Sequence, residues 1–287
     1  MVMAKGGFYF VRDACGAVLR CRARRRIKDS GISLLVGDLV EVNASEGVIE
    51  KVYPRKNSII RPPVANVDQV VILMSVSKPP IDLVLLDRIL ISVESFMIDV
   101  ILCLNKMDLI NDLQKAMIEE IRDTYENCGY KIFYTSAVTG QGLHQLETFL
   151  NNKINVFAGP SGVGKSTLIN KLKPGLELKS APVSSKTERG RHTTRHVELL
   201  MIGKATFIAD TPGFQKLDLK GFSSRELSSY FPEMLSFAGS CRFTGCIHRA
   251  EPDCAVKEAV QRGKIAPWRY NHYLMFLQEI LQAEKNF

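Results

Sequence analysis

The order of two short motifs constrains this chain more than any other feature. Residues 159–166 read Gly-Pro-Ser-Gly-Val-Gly-Lys-Ser, the pattern G-x-x-x-x-G-K-[ST] of a phosphate-binding loop. Asn105-Lys106-Met107-Asp108 fits the base-reading pattern N-K-x-D, which ordinarily follows such a loop and here precedes it. A fold that serves both motifs must join them in space while its chain ends lie elsewhere. That is a circularly permuted α/β nucleotide-binding domain.

Each residue type in these motifs has a chemical reason. Gly159, Gly162 and Gly164 let the backbone N–H groups of the loop, with Pro160, Ser161 and Val163 between them, curl around the α- and β-phosphates. Lys165 reaches the β- and γ-phosphates, the Ser166 hydroxyl binds Mg²⁺, and Thr167 continues into a helix whose positive end faces the anion. Asp108 accepts two hydrogen bonds from the guanine ring N–H and exocyclic amine, and the Lys106 stem covers the base. Adenine lacks that donor pair, so it would leave a desolvated carboxylate unpaired. Ser136 and Ala137, after the next apolar run, complete the base pocket through their backbone.

Downstream, Asp210-Thr211-Pro212-Gly213 ends an apolar run; Asp210 is expected to hold Mg²⁺ through water and the Gly213 N–H to meet the γ-phosphate. Residues 184–195 show neither strand nor helix period, as befits a switch that orders around Mg²⁺, with Thr193 or Thr194 supplying the sensing hydroxyl. After Asp-x-x-Gly stands Phe214, which cannot orient a water, so intrinsic hydrolysis is expected to be slow. His192 is the candidate catalytic replacement. A P-loop kinase or ATPase is disfavoured by Asn105, Lys106 and Asp108, and a passive RNA-binding module by the paired Mg²⁺ ligands.

Around these motifs the chain changes rhythm twice. Residues 8–60 hold short alternating runs (8–12, 17–22, 39–43, 47–53) separated by turns and with no helical stretch, the pattern of a small closed β-barrel. From residue 67 buried strands (67–76, 98–104, 131–134, 154–158) alternate with helices (83–96, 112–127, 143–150, 166–172), and 196–202 with 205–209 make a hairpin. That alternation gives a mostly parallel sheet with helices on both faces. Beyond residue 213 only helical runs remain: 223–230, 255–262 and 268–285.

The last of these flank Cys241-x4-Cys246-x-His248-x5-Cys254, a full tetrahedral set for one structural zinc. Arg242, Arg249 and Arg269 lie nearby as candidate RNA contacts, while Trp268 and Tyr270 read rather as filling a small core. Of the net charge of +8, most sits at the amino-terminal end: residues 1–62 hold 12 Lys/Arg against 6 Asp/Glu. The dense run Arg20, Arg22, Arg24, Arg25, Arg26 and Lys28 points to a polyanionic partner. With no long apolar span and no apolar leader, a cytoplasmic protein without membrane attachment is expected.

Together these stretches resemble the bacterial small-ribosomal-subunit-dependent GTPase A family. The resemblance rests on residues 61–68, 105–108, 159–167, 190–194 (Gly-Arg-His-Thr-Thr), 210–214 and the Cys/His cluster, in the family's permuted order. It implies three domains: an oligonucleotide-binding (OB-fold) barrel over 1–63, the permuted GTPase over 64–217, and a mainly helical zinc-binding domain over 218–287. It also implies a monomer that binds GTP and GDP with Mg²⁺, contacts 16S rRNA, and acts late in 30S assembly with hydrolysis stimulated by that particle. His192 aligns with a histidine the family uses in its first switch, while Arg195 departs from the usual third threonine. Because residues 214–219 lead straight from the second switch into the C-terminal part, nucleotide state is expected to move that part relative to the barrel.

Overall fold

The computed structural model describes the chain except residues 61, 176–196, 211–218, 220 and 286–287; the side chains of Lys28, Leu113 and Asp210 also lie outside the described parts. Its amino-terminal unit comprises β1 (Met3–Lys5), β2 (Phe8–Arg12), β3 (Val18–Ala23), α1 (Arg25–Asp29), β4 (Val40–Asn43) and β5 (Val48–Val52). They run in the order β1-β2-β3-β5-β4, and β3 pairs with β5 in parallel. The two ends of this ribbon meet at the chain terminus: Gly37 N–H donates to the Met1 carbonyl at 2.9 Å, and the Met1 ammonium donates to the Asp38 carbonyl at 2.7 Å. Gly37 is required there, since with φ at +94° any Cβ would meet the Ala65 carbonyl oxygen at 2.1 Å. Inside lie Met1, Val11, Cys21, Ile27 and Ile49.

The short helix α1 corrects the expectation of a unit without helix. Ile27 is buried in the core while Arg24, Arg25 and Arg26 stay exposed, so one turn of helix seats a single apolar residue and leaves the charges in water.

A two-stranded link, β6 (Ser58–Ile59) with β7 (Val64–Ala65), leads into the central sheet. There follow β8 (Gln69–Ser75), α2 (Leu83–Glu94), β9 (Asp99–Asn105), α3 (Asp112–Asn127), β10 (Lys131–Thr135), α4 (Leu143–Leu150), β11 (Ile154–Ala158), α5 (Lys165–Leu172), β12 (Glu198–Gly203) and β13 (Thr206–Asp210). All seven residues of β8 are buried, as a central parallel strand covered on both faces requires. The spatial order is β10-β9-β8-β11-β13-β12, and β12 then pairs with β1, so the described strands of both units form one eleven-stranded sheet. All of the strands from β8 to β13 except β12 run parallel, but the order in which strands are added reverses between β8 and β11: the path steps outward through β9 and β10, then starts again at β11 toward β13. In open α/β sheets such a reversal opens a crevice at the carboxyl ends of the strands, and both motifs begin there.

The remaining elements are α6 (Pro232–Ala238), α7 (Ala255–Gln261) and α8 (Pro267–Glu284). The helix expected over 223–230 is instead a 3₁₀ turn at Leu227–Tyr230, followed by α6, which Pro232 starts at its first position. Leu227, Phe231, Met234, Val256, Tyr273, Phe276 and Leu277 form a core that also takes in Ile91 of α2. Among the described residues no helix is long and apolar enough to cross a membrane.

Candidate functional site

The register of the parallel strands sets Thr135, Asn105 and Ser75 in one row at the carboxyl edge of β10, β9 and β8. β11 delivers the glycine-rich loop beside that row. Asn105, buried, donates from Nδ2 to the Val163 carbonyl of the loop at 2.9 Å and accepts the Thr135 hydroxyl at 3.1 Å. The Cys103 thiol lies 3.3 Å from the same hydroxyl, and burial pushes that thiol up to about 12, so it remains protonated.

Lys106 sits in the left-handed region (φ +66°) and sends its ammonium to the Gly162 carbonyl at 2.7 Å and to the Lys78 carbonyl. Burial lowers its pKa, with the Asp108 charge acting in the opposite direction. Asp108 is exposed toward the crevice; its Oδ1 accepts the Ser136 hydroxyl at 2.5 Å, while Ser136 and Ala137 are buried beneath it. The Ser136 turn is closed by the Gly140 N–H on its carbonyl at 2.9 Å. The residues named for guanine recognition thus come together on two adjacent strand ends.

The shape of the loop is set by its glycines. Gly159 and Gly164 have φ of +133° and +97°, and a Cβ on them would meet the Leu73 carbonyl oxygen at 2.1 Å and Asn105 Nδ2 at 2.6 Å. Gly164 is therefore glycine for two reasons, its own backbone and the Asn105 amide that must pass it. Lys165 points back into the loop, donating to the Gly159 and Pro160 carbonyls at 2.7 Å each. Burial pushes its ammonium down to about 8. Ser166 and Thr167 follow in the first turn of α5, Ser166 half-buried and Thr167 exposed. Pro160 and Ser161 also wall a groove of about 600 Å³ against Pro79–Leu85 at the start of α2.

Asp210 is the last residue of β13, whose neighbour β11 carries the loop, so its backbone lies at the same edge. His192, Thr193, Thr194, Gly213 and Phe214 lie outside the described residues.

Away from the crevice, four potential ligands converge. Cys241 Sγ lies 3.5 Å from His248 Nδ1 and 3.8 Å from Cys254 Sγ. His248 Nδ1 lies 3.4 Å from the sulfurs of both Cys246 and Cys254. A tetrahedral zinc with bonds of about 2.3 Å to sulfur and about 2.0 Å to nitrogen sets such edges at about 3.8 and 3.5 Å, so the donor set fits that ion. Burial lowers the His248 pKa, Glu251 acting oppositely, so the ring is neutral as a ligand must be. The supports are backbone-directed: Tyr270 and Tyr273 donate to the carbonyls of His248 (2.6 Å) and Ile247 (2.7 Å). The Glu251 carboxylate accepts the N–H groups of Ile247, Arg249 and Ala250.

The basic run is a surface. Arg20, Arg22, Arg24, Arg25 and Arg26 are exposed, and the guanidinium groups of Arg20 and Arg22 lie 3.6 and 4.7 Å from the Phe8 ring centroid. Arg24 is partly neutralised by Glu50 at 3.2 Å. The Arg242 and Arg249 side chains are exposed, whereas Arg269 is 1% exposed and does not belong to any RNA-facing surface. Its guanidinium donates to Asp87 Oδ1 at 2.5 Å and to the Glu233 carboxylate at 2.6 and 2.9 Å. Tyr270 packs in the small C-terminal core as expected, whereas Trp268 packs against the central core beside Tyr125.

Sequence reasoning missed the Thr135 hydroxyl, the Lys78 carbonyl and the Asp87–Arg269–Glu233 cluster. Thr135 carried a signal, its place beside Ser136; the other two are contacts between segments far apart in the chain.

Comparison with known proteins agrees with this geometry. The family profile described as RsgA GTPase matches residues 52–220, and that of the RsgA N-terminal domain matches residues 1–49. Two proteins named small ribosomal subunit biogenesis GTPase RsgA are similar over nearly their whole length. The one from Caldanaerobacter subterraneus is 44% identical over 99% of this chain and 96% of its own. The one from a Geobacillus species is 45% identical over 100% and 98%. Among solved structures, YjeQ from Thermotoga maritima superposes with a TM-score of 0.88 at 34% identity, covering 98% of this chain and 96% of that one. YloQ, described as a circularly permuted GTPase, gives 0.83 at 36% identity, covering 98% and 93%.

Proposed function

Because the chain belongs to the RsgA GTPase family and is therefore a GTP hydrolase, we propose that it serves biogenesis of the small ribosomal subunit, as its relatives' names state. Residues 1–63 act as an OB-fold barrel on 16S rRNA, 64–217 as the permuted GTPase, and 218–287 as a zinc-binding helical domain of a cytoplasmic monomer. The strand order β1-β2-β3-β5-β4 and the Met1–Gly37 closure support the barrel. The exposed Arg20, Arg22, Arg24, Arg25 and Arg26 support its contact with a phosphate backbone. Cys241, Cys246, His248 and Cys254 hold one zinc, which ties three loop segments together and takes no part in hydrolysis.

The single observation that carries the GTPase mechanism is the Asn105-to-Val163 bond, which fastens the base-reading motif to the phosphate loop. Asp108 reads guanine, Lys106 lies along the ring, and Ser136 and Ala137 close the pocket. The loop from Gly159 to Thr167 holds the phosphates by backbone donors. On arrival of the anion Lys165 exchanges the Gly159 and Pro160 carbonyls for phosphate oxygens. Ser166, Asp210 and Thr193 or Thr194 hold Mg²⁺, which when bound neutralises charge developing on the phosphates. The Gly213 N–H meets the γ-phosphate. His192 orients the attacking water in place of the glutamine that Phe214 supplants.

The test is phosphate release from GTP and from ATP, with and without purified 30S subunits. Slow GTP-selective turnover that rises at least tenfold with 30S is expected. Turnover indifferent to 30S removes the ribosomal role, and equal turnover of ATP removes the base-reading assignment. His192→Ala then reports on the catalytic histidine, by losing the stimulated rate while keeping GDP affinity.

A further inference from the structure

The two flanking units are joined to the nucleotide core in unlike ways. The C-terminal unit is clamped. Arg269 reaches Asp87 of α2 and Glu233 of α6, with Asp87 and Arg269 0% and 1% exposed. Tyr125 of α3 donates to the same Asp87 at 2.6 Å, and His272 lies 2.6 Å from its second oxygen. Arg88 pairs with both oxygens of Glu279 at 2.9 and 2.6 Å. Val84 and Ile91 enter the apolar core of the C-terminal unit. Any displacement there would expose or orphan several buried charges at once.

The amino-terminal unit is joined by apolar packing and backbone pairing: Val36 is buried in the central core, and Val2 and Ala4 pack against it. β1 meets β12 at a single paired position, Met3 opposite Glu198, with the Leu199 N–H donating to the Val2 carbonyl at 2.8 Å. The linker makes a second attachment, through the Ala65 N–H on the Val36 carbonyl (2.8 Å) and the Asn66 amide on the Gly37 carbonyl (3.0 Å). The β1–β12 pairing is also the joint next to the carboxylate assigned to the metal. Glu198 pairs on its other side with Asp210, so Met3, Glu198 and Asp210 stand in one rung across β1, β12 and β13. Two strand spacings, about 10 Å, separate the amino-terminal unit from the residue assigned to Mg²⁺.

We infer that the amino-terminal unit is the part that responds to nucleotide, through the Met3–Glu198–Asp210 rung, while the C-terminal unit rides rigidly on α2. The inference rests on the assignment of Asp210 to Mg²⁺ made above. A change in how the end of β13 is held reaches β12 directly and β1 one pairing later, with the linker contacts at Val36 and Gly37 as the pivot. It reverses the expectation from motif order alone, which put the moving joint at the C-terminal side.

Amide hydrogen exchange on the full chain, with Mg²⁺ and either GDP or a non-hydrolysable GTP analogue, tests this. Segments 159–167, 1–12 with 198–203, and 84–94 with 267–284 are followed separately. Expected is protection of 159–167 by both nucleotides, a difference of about tenfold between the two at 1–12 and 198–203, and a difference under about twofold at 84–94 and 267–284. Protection of the loop with no difference at 1–12 and 198–203 overturns the inference and leaves the GTPase reading intact. So does a difference confined to 84–94 and 267–284. Failure of either nucleotide to protect 159–167 overturns the nucleotide-site assignment itself, and the inference with it.

Discussion

The nucleotide crevice and the Cys/His cluster are both sets of polar groups gathered from distant residues, and they are gathered by different forces. In the crevice the gathering is done by the protein. Asn105 is fixed by Val163 and Thr135, Lys106 by Gly162, and Lys165 by Gly159 and Pro160. In the cluster three sulfurs and a ring nitrogen crowd within 4.8 Å of one another, and hydrogen bonds between thiols are too weak to hold them so. One site is fastened by the protein's own bonds; in the other, the zinc proposed above would do that work.

The largest effect should come from breaking the second site. Cys254→Ser, or removal of zinc by a strong chelator, is expected to unfold residues 219–285, since a structural zinc supplies about 10 kcal/mol or more of folding free energy. GDP affinity should change less than threefold. Loss of C-terminal helix by circular dichroism together with unaltered GDP titration checks this, and parallel loss of GDP binding would show that the two sites are not independent.

The first site is broken by its own reading group. Asp108→Ala removes an acceptor for two donors, each worth about 1.5–3 kcal/mol when charged, so GTP affinity should fall at least 100-fold. ATP affinity should stay as weak as before, which competition binding measures.

A smaller change tests the fastening of the base-reading motif to the loop. Gly164→Ala places a Cβ 2.6 Å from Asn105 Nδ2 in a left-handed backbone, at a strain of about 1–2 kcal/mol. GDP binding should weaken about tenfold with no substitution at any atom that touches nucleotide. Unchanged affinity would show that the Asn105–Val163 bond is dispensable.

The smallest effect is a titration. With the free Lys165 ammonium held down to about 8, phosphate binding must return a proton to it wherever the pH exceeds that value. The contribution is complete below about pH 8 and is lost as pH rises toward the higher pKa of the bound state. GDP affinity should fall about fourfold between pH 7 and 8.5, with proton uptake visible as a buffer-dependent heat of binding.

How much of this was written in the sequence varies with distance along the chain. Helices 112–127 and 143–150 and strand 154–158 were readable to the residue, because each carries its own period and its own ends: Asn111 and Gln114 form a capping box that starts α3. The loop and the base motif were readable because their chemistry is local. β1 was not, since three residues beside Gly6 and Gly7 become a strand only through β2 and through β12, nearly the whole GTPase domain away. Arg269 read as a surface cation beside an aromatic. Asp87, 182 positions earlier, and Glu233 make it a buried clamp. The helical turn at α1 was hidden in a run of charges that contains one apolar residue, Ile27.

The place of β8 in the sheet has a consequence for how the protein is made. Its neighbours are β9, which follows within thirty residues, and β11, which begins only at Ile154. While the chain emerges, β8, β9 and β10 can pair, but the second flank of a strand with seven buried residues stays bare until the phosphate loop's own strand is synthesised. In the unpermuted order that strand would come first. Here the nascent protein passes through an interval with the base-reading strand made, no phosphate cradle and an open apolar edge on β8.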